Sequence, residues 1–178
     1  MSNVNKKNEI SKLNMLKKDI VGTVENKLDI LRSEGKLHVP EDYSPSNALT
    51  SAWLNLQGIT AKVGNEYLPA LEVCSKDTIA NTLLDMVTQG LTPSKKQCYF
   101  IAYNKSLNLQ RSYFGDLAVM KRLNDVKSVN ANVVYDKDTF EININEDGSK
   151  SITHKTNFES LGTDIKGVYC VINFTDGT

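Results

Sequence analysis

Apolar residues at Ile10, Leu13, Leu16, Ile20, Val24, Leu28 and Leu31 recur in steps of three and four across residues 8–32. That spacing predicts an amphipathic helix with its charged groups on the opposite face. Gly35 is placed to end it. After an irregular stretch, His38 to Tyr43, the pair Ser44-Pro45 has the form of an N-cap followed by proline at the first helical position. It predicts a short helix carrying Leu49, Trp53 and Leu56, released at Gly58 or Gly64. Ser75 is the expected N-cap of a third helix, with Ile79, Leu83, Leu84 and Val87 on one face and Gly90 at its C-terminal end.

The period changes after Gly90. Residues 91–96 read as a loop. Residues 98–103 and 107–113 read as two strands of a hairpin, turning at Asn104-Lys105-Ser106. Leu117, Val119, Met120 and Leu123 suit a helix starting near Gly115. Three β-rich runs follow at 126–136, 140–145 and 151–156, with Asp147-Gly148 as the strongest short turn signal, and a last strand covers 167–174. Asp176-Gly177 after that alternating strand calls for a return strand, so the chain is expected to stop in mid-hairpin. The predicted fold class is α+β: N-terminal helices plus antiparallel β-hairpins with an interposed helix. Residues 1–178 are expected to form one domain, with 1–35 as an N-terminal helix available for a subunit contact and 36–178 as the α+β core.

With 178 residues, 40% of them hydrophobic, the chain can bury a core without metal or disulfide staples. No apolar run is long enough to span a bilayer, and the polar start, Met1 to Asn14, lacks the apolar core of a secretory signal. The expected setting is the cytoplasm, with no membrane partner. Cys74, Cys98 and Cys170 are widely spaced and odd in number, which predicts three buried thiols. The 21 basic and 21 acidic residues cancel, but not locally: basic against acidic, residues 1–40 carry 8 and 5, 41–90 carry 2 and 6, 91–127 carry 7 and 2, and 128–164 carry 3 and 7. A basic stretch between acidic ones suits a polyanion on one face, or head-to-tail contact between subunits.

Several chemistries are excluded. There is no phosphate loop and no GxGxxG, so nothing supports an ATP-driven function. His38 and His154, expected at the surface or in loops, are too few for a histidine metal site or triad. The run from Asn143 to Gly148 imitates a calcium loop but places His154 where the bidentate Glu belongs. Asp136, Asp138 and Glu141 could serve a small metal-dependent nuclease, although Asp136-Lys137-Asp138 also suits a plain turn. The richest stretch is basic and aromatic, with Lys95, Lys96, Lys105, Arg111, Lys121, Arg122 and Lys127 among Tyr99, Phe100, Tyr103, Tyr113 and Phe114. Cations neutralise phosphates and aromatic faces stack unpaired bases. Phe100 and Phe114 are expected in the core, while for each of Tyr99, Tyr103 and Tyr113 the sequence favours neither core nor surface.

The order of features here resembles the RecT family of phage recombinases, single-strand annealing proteins usually encoded beside a RecE-type exonuclease. The pieces are Gln89-Gly90-Leu91-Thr92-Pro93, the aromatic strand Cys98-Tyr99-Phe100-Ile101-Ala102-Tyr103, the segment Gln110-Arg111-Ser112-Tyr113-Phe114-Gly115, Arg122, Val126-Lys127-Ser128-Val129, Val133-Val134-Tyr135 and the strand and turn of 167–177. Two departures stand out: Phe114 occupies a position where members often carry Lys, and members continue well beyond the final strand. The resemblance implies ATP-independent binding of single-stranded DNA and pairing to an annealed duplex, by a protein assembled into rings or helical filaments. It implies no catalytic residue and no bound cofactor, with magnesium acting only on annealing, and a RecE-type exonuclease and a host single-strand-binding protein as partners. Lys95, Lys96, Lys105, Arg111, Lys121, Arg122 and Lys127 are the expected backbone contacts, with Gln110 and Tyr113 shaping the groove. The alternatives are the nuclease and a DNA-independent interaction module docking through residues 8–32.

Overall fold

A computed structural model describes residues 2–177, and the side chains of residues 1–7 and 9 lie outside that description. The chain gathers into two compact units, residues 1–120 and 121–178. The first is mainly helical. Helix α1 (Ser2–Ser33) runs through the predicted span and ends where Gly35 takes φ +67° and Lys36 N–H donates to Leu31 O at 2.8 Å. Helix α2 (Pro45–Leu56) starts as expected, with Ser44 Oγ accepting from Asn47 N–H and Pro45 at the first position. Helix α4 (Lys76–Thr88) is capped by Ser75, whose Oγ accepts from Thr78 N–H.

Between α2 and α4 lies an element that hydrophobic periodicity missed. Strands β1 (Thr60–Val63) and β2 (Glu66–Pro69) pair as a hairpin across Gly64-Asn65, with Gly64 at φ +62°, and run into the single turn α3 (Ala70–Val73). Both strands are almost wholly exposed, so they lack the apolar alternation that announces a strand. The two-residue Gly-Asn turn was the available signal.

Strands β3 (Cys98–Tyr103) and β4 (Ser106–Arg111) form the expected hairpin, with Asn104 at φ +53° in a two-residue turn. Helix α5 (Tyr113–Met120) follows at once. Tyr113 therefore opens the helix instead of ending the strand, because Ser112 acts as a cap and its Oγ accepts from Gly115 N–H at 3.2 Å.

The core of this unit joins three helices to one face of the hairpin. Ile20, Val24 and Leu28 of α1 meet Leu49, Trp53 and Leu56 of α2, Ile79, Leu83 and Met86 of α4, and Cys98, Phe100 and Leu107 of the hairpin. Each fully buried large apolar side chain contributes about 1.5–3 kcal/mol. The apolar stripe of α1 is thus used inside its own unit, while Ile10 and Met15 on the same helix remain exposed.

The second unit is built from antiparallel strands. Strand β5 (Val126–Tyr135) pairs with β8 (Ile165–Phe174), and β6 (Thr139–Ile144) pairs with β7 (Lys150–Lys155) across the Asp147-Gly148 turn. Asp136-Lys137-Asp138 is the turn from β5 to β6, as the plain reading expected. The fold class is α+β.

Candidate nucleic-acid interface

The hairpin β3–β4 is held on α4 by hydrogen bonds to its backbone. Leu107 O accepts from Thr82 Oγ1 at 2.9 Å, Leu107 N–H donates to Thr78 Oγ1 at 3.4 Å, and Lys105 O accepts from Ser75 N–H at 3.0 Å. Thr78 and Thr82 are one helical turn apart, so they present two hydroxyls to a single residue of the strand edge. Beside them an open groove of about 770 Å³ runs between α4 and β4, lined by Asn81, Asp85, Gln89, Asn108, Gln110 and Arg111 among others.

At the other end of the hairpin, the loop before β3 is clasped to the start of α5. Ser112 Oγ donates to Lys96 O at 2.6 Å, and Ser112 N–H donates to Gln97 O at 3.1 Å. Gly115 sits so close that a β-carbon there would lie 2.1 Å from Gln97 O. Lys96 itself is in the left-handed region, at φ +54°. This clasp sets Lys95 and Lys96 on one side and Arg111 and Tyr113 on the other of one short junction.

All the predicted contact residues are exposed. Lys95, Lys96, Lys105, Gln110, Arg111 and Tyr113 belong to the first unit; Lys121, Arg122 and Lys127 belong to the second, where Lys121 and Arg122 form a turn and Lys127 lies at a register irregularity at the start of β5. Lys95 and Arg111 lie beside carboxylates. Lys95 Nζ is 3.7 Å from Asp42, and Arg111 Nε is 3.0 Å from Asp116. Between Leu91 and Gly115 there is no Asp or Glu at all, so the hairpin and its flanking loops carry only positive charge.

Three expectations are corrected. Phe114 is 55% exposed and packs edge-on against Tyr113, because the start of α5 turns its aromatic pair outward while Gly115 takes the inward position. Cys74 and Cys98 are buried but Cys170 is exposed, on the uncovered face of the β5–β8 pair. His154 is not a plain surface residue. Its Nε2 lies 3.0 Å from Asp138 Oδ2 and its Nδ1 lies 3.0 Å from Tyr169 Oη, with Phe140 packed against both rings.

The candidate nuclease carboxylates do not form a metal site. Asp138 is fully enclosed and accepts from Tyr135 N–H at 2.8 Å as well as meeting His154. Burial pushes its carboxyl up, but the hydrogen bonds from Tyr135 and from the His154 and Ser160 side chains outweigh that and hold it at about 2. Asp136 pairs with Lys166, and Glu141 is exposed on β6. Among the described residues, no three His, Cys, Asp or Glu side chains gather to hold a metal.

A model of the RecT family matches residues 48–178. The chain belongs to the RecT family. The match begins within α2 and takes in the β1–β2 hairpin, α4, the β3–β4 hairpin and all of the second unit. RecT membership brings with it the class of single-strand annealing proteins of recombination, and the basic hairpin lies inside the matched region. No curated protein and no solved structure shows a significant match to this RecT chain. No described helix is long and apolar enough to cross a membrane.

Proposed function

We propose that this chain binds single-stranded DNA and anneals it to its complement without ATP, in phage-type homologous recombination. The observation that carries the proposal is the family match over residues 48–178. The surface chemistry supports it. Annealing requires no activated nucleophile; it requires phosphate neutralisation, so that two polyanions can approach, and base edges left free to pair. Lys95, Lys96, Lys105 and Arg111 in the first unit, with Lys121, Arg122 and Lys127 in the second, are the backbone contacts, and Gln110 and Tyr113 shape the groove. Asp116 engages Nε of Arg111, and a guanidinium has five N–H donors, so its terminal nitrogens are left to meet a phosphate.

In this proposal the protein works as a ring or helical filament in the cytoplasm of a bacterial host. Its partners are a RecE-type exonuclease and the host single-strand-binding protein, and magnesium acts only by modulating annealing. No residue is assigned a catalytic role. The test is fluorescence-quench annealing of two complementary oligonucleotides at low and high salt, without nucleotide, with and without magnesium. Acceleration that fades with salt and leaves both strands intact is the expected result. Cleaved strands, or no acceleration at any salt, would overturn it.

A further inference from the structure

We propose that the outward face of the β3–β4 hairpin is a base-stacking platform, on which Tyr99 and Tyr103 each hold one base of a single DNA strand by its ring face. This rests on the single-strand binding proposed above and names the groups that hold the bases rather than the phosphates.

The register places Tyr99, Ile101 and Tyr103 on one face, opposite Gln110, Asn108 and Ser106. The other face carries Cys98, Phe100 and Leu107, all buried. The two tyrosines are 52% and 62% exposed, so they do not serve the core that claims Phe100 between them. Four residue steps along the strand set them roughly 13 Å apart, which makes two separate subsites instead of one stacked pair.

Charge marks the occupant as a polyanion. Lys105 stands at the tip of the hairpin, and Lys96 and Arg111 stand at its other end. Every residue of the tyrosine face is uncharged, and no carboxylate occurs from Leu91 to Gly115. A strand of DNA laid along the hairpin would thus find cations for its phosphates at both ends and aromatic rings between them. The hairpin is already rigid, because Thr78, Thr82 and Ser75 secure its backbone from the α4 side.

The mode of holding also fits the chemistry of annealing. A base stacked on a tyrosine keeps its Watson–Crick edge open to the complementary strand, whereas a base held by side-chain amides would not. The amides at hand are turned elsewhere: Asn108 Nδ2 reaches Ser106 O and Gln110 Nε2 reaches Arg111 O, each at 3.5 Å.

The experiment compares a thymidine oligonucleotide with an abasic oligonucleotide of equal phosphate number, binding to the full chain and to Tyr99→Ala, Tyr103→Ala, Tyr99→Phe and Tyr103→Phe. The unsubstituted protein should prefer the base-containing strand. Each alanine should weaken that binding about tenfold, the scale of one lost stacked base, with abasic binding unchanged, and each phenylalanine should retain it. Alanine variants that bind both strands like the parent, or lose affinity equally for both, would overturn the platform while leaving DNA binding intact. If the parent protein binds neither strand, the single-strand function falls and the platform with it. Loss of self-association with unchanged DNA binding would reassign the face to protein contact and overturn the platform.

Discussion

Replacing Gly115 with alanine tests the clasp that places Lys96 beside Arg111. The new β-carbon would stand 2.1 Å from Gln97 O, a backbone oxygen that already accepts from Ser112 N–H. Non-bonded contacts at that position do not form below about 3 Å, so the loop and the first turn of α5 must part by roughly 1 Å. Parting them strains or breaks Ser112 N–H to Gln97 O and Ser112 Oγ to Lys96 O, at about 0.5–1.5 kcal/mol net for each. Overpacking of this kind costs about 1–3 kcal/mol, and the better helix propensity of alanine returns at most about 1 kcal/mol. Because these costs describe the same distortion and overlap, the net loss is about 1–3 kcal/mol, which for a unit of this size lowers the melting temperature by roughly 5–10 °C. Thermal unfolding by circular dichroism, with urea titration as the independent measure, reads this directly. A melting temperature within about 2 °C of the parent, with an unchanged urea midpoint, would refute the argument.

Three further predictions concern acid, salt and thiols. The Asp138 carboxyl sits at about 2 in the fold against an ordinary 3.8, so its ionised form stabilises the second unit; that contribution is complete above about pH 4 and disappears as the pH falls through 2. Protection factors of the β5 amides, corrected for the intrinsic exchange rate at each pH, should therefore fall over this window, and an unchanged acid profile in Asp138→Asn would rule the linkage out. Because each phosphate contact on a single strand adds about 0.7 to the salt slope, Lys96→Ala with Arg111→Ala should make log K against log salt shallower by about 1.4. An unaltered slope removes both from the contact set. Ellman titration of the native protein should find one fast thiol, Cys170, since burial raises Cys74 and pushes Cys98 up to about 11; two or three fast thiols would mean that the first unit opens readily.

The family and the basic hairpin were legible in the chain because both depend on the order of residue types along it. Helices α1, α2 and α4 were legible too. Their caps at Ser44 and Ser75, the proline at 45 and the stop at Gly35 act over four or five residues, within reach of sequence reasoning. The β1–β2 hairpin was missed because it packs little apolar surface and so carries no alternation. Phe114 was assigned to the core on its residue type, and His154 to the surface for the same reason. Burial in each case depends on partners far along the chain: Gln97 crowds Gly115 and turns its neighbour outward, and Asp138 and Tyr169 close around His154.

The nine residues proposed as DNA contacts show the same division. Sequence determined the sign of the seven lysines and arginines among them, since those side chains are charged wherever the fold puts them. Only the tertiary structure decided their surroundings. It paired Arg111 with Asp116 and Lys95 with Asp42, divided the set between two compact units, and left Tyr99 and Tyr103 facing outward while Phe100 faced in. Local order along a chain specifies elements through short-range hydrogen bonds and caps. Which face of an element is buried is set by what packs against it, and here that is α4, whose Thr78 and Thr82 fasten the edge of β4 from about thirty residues away.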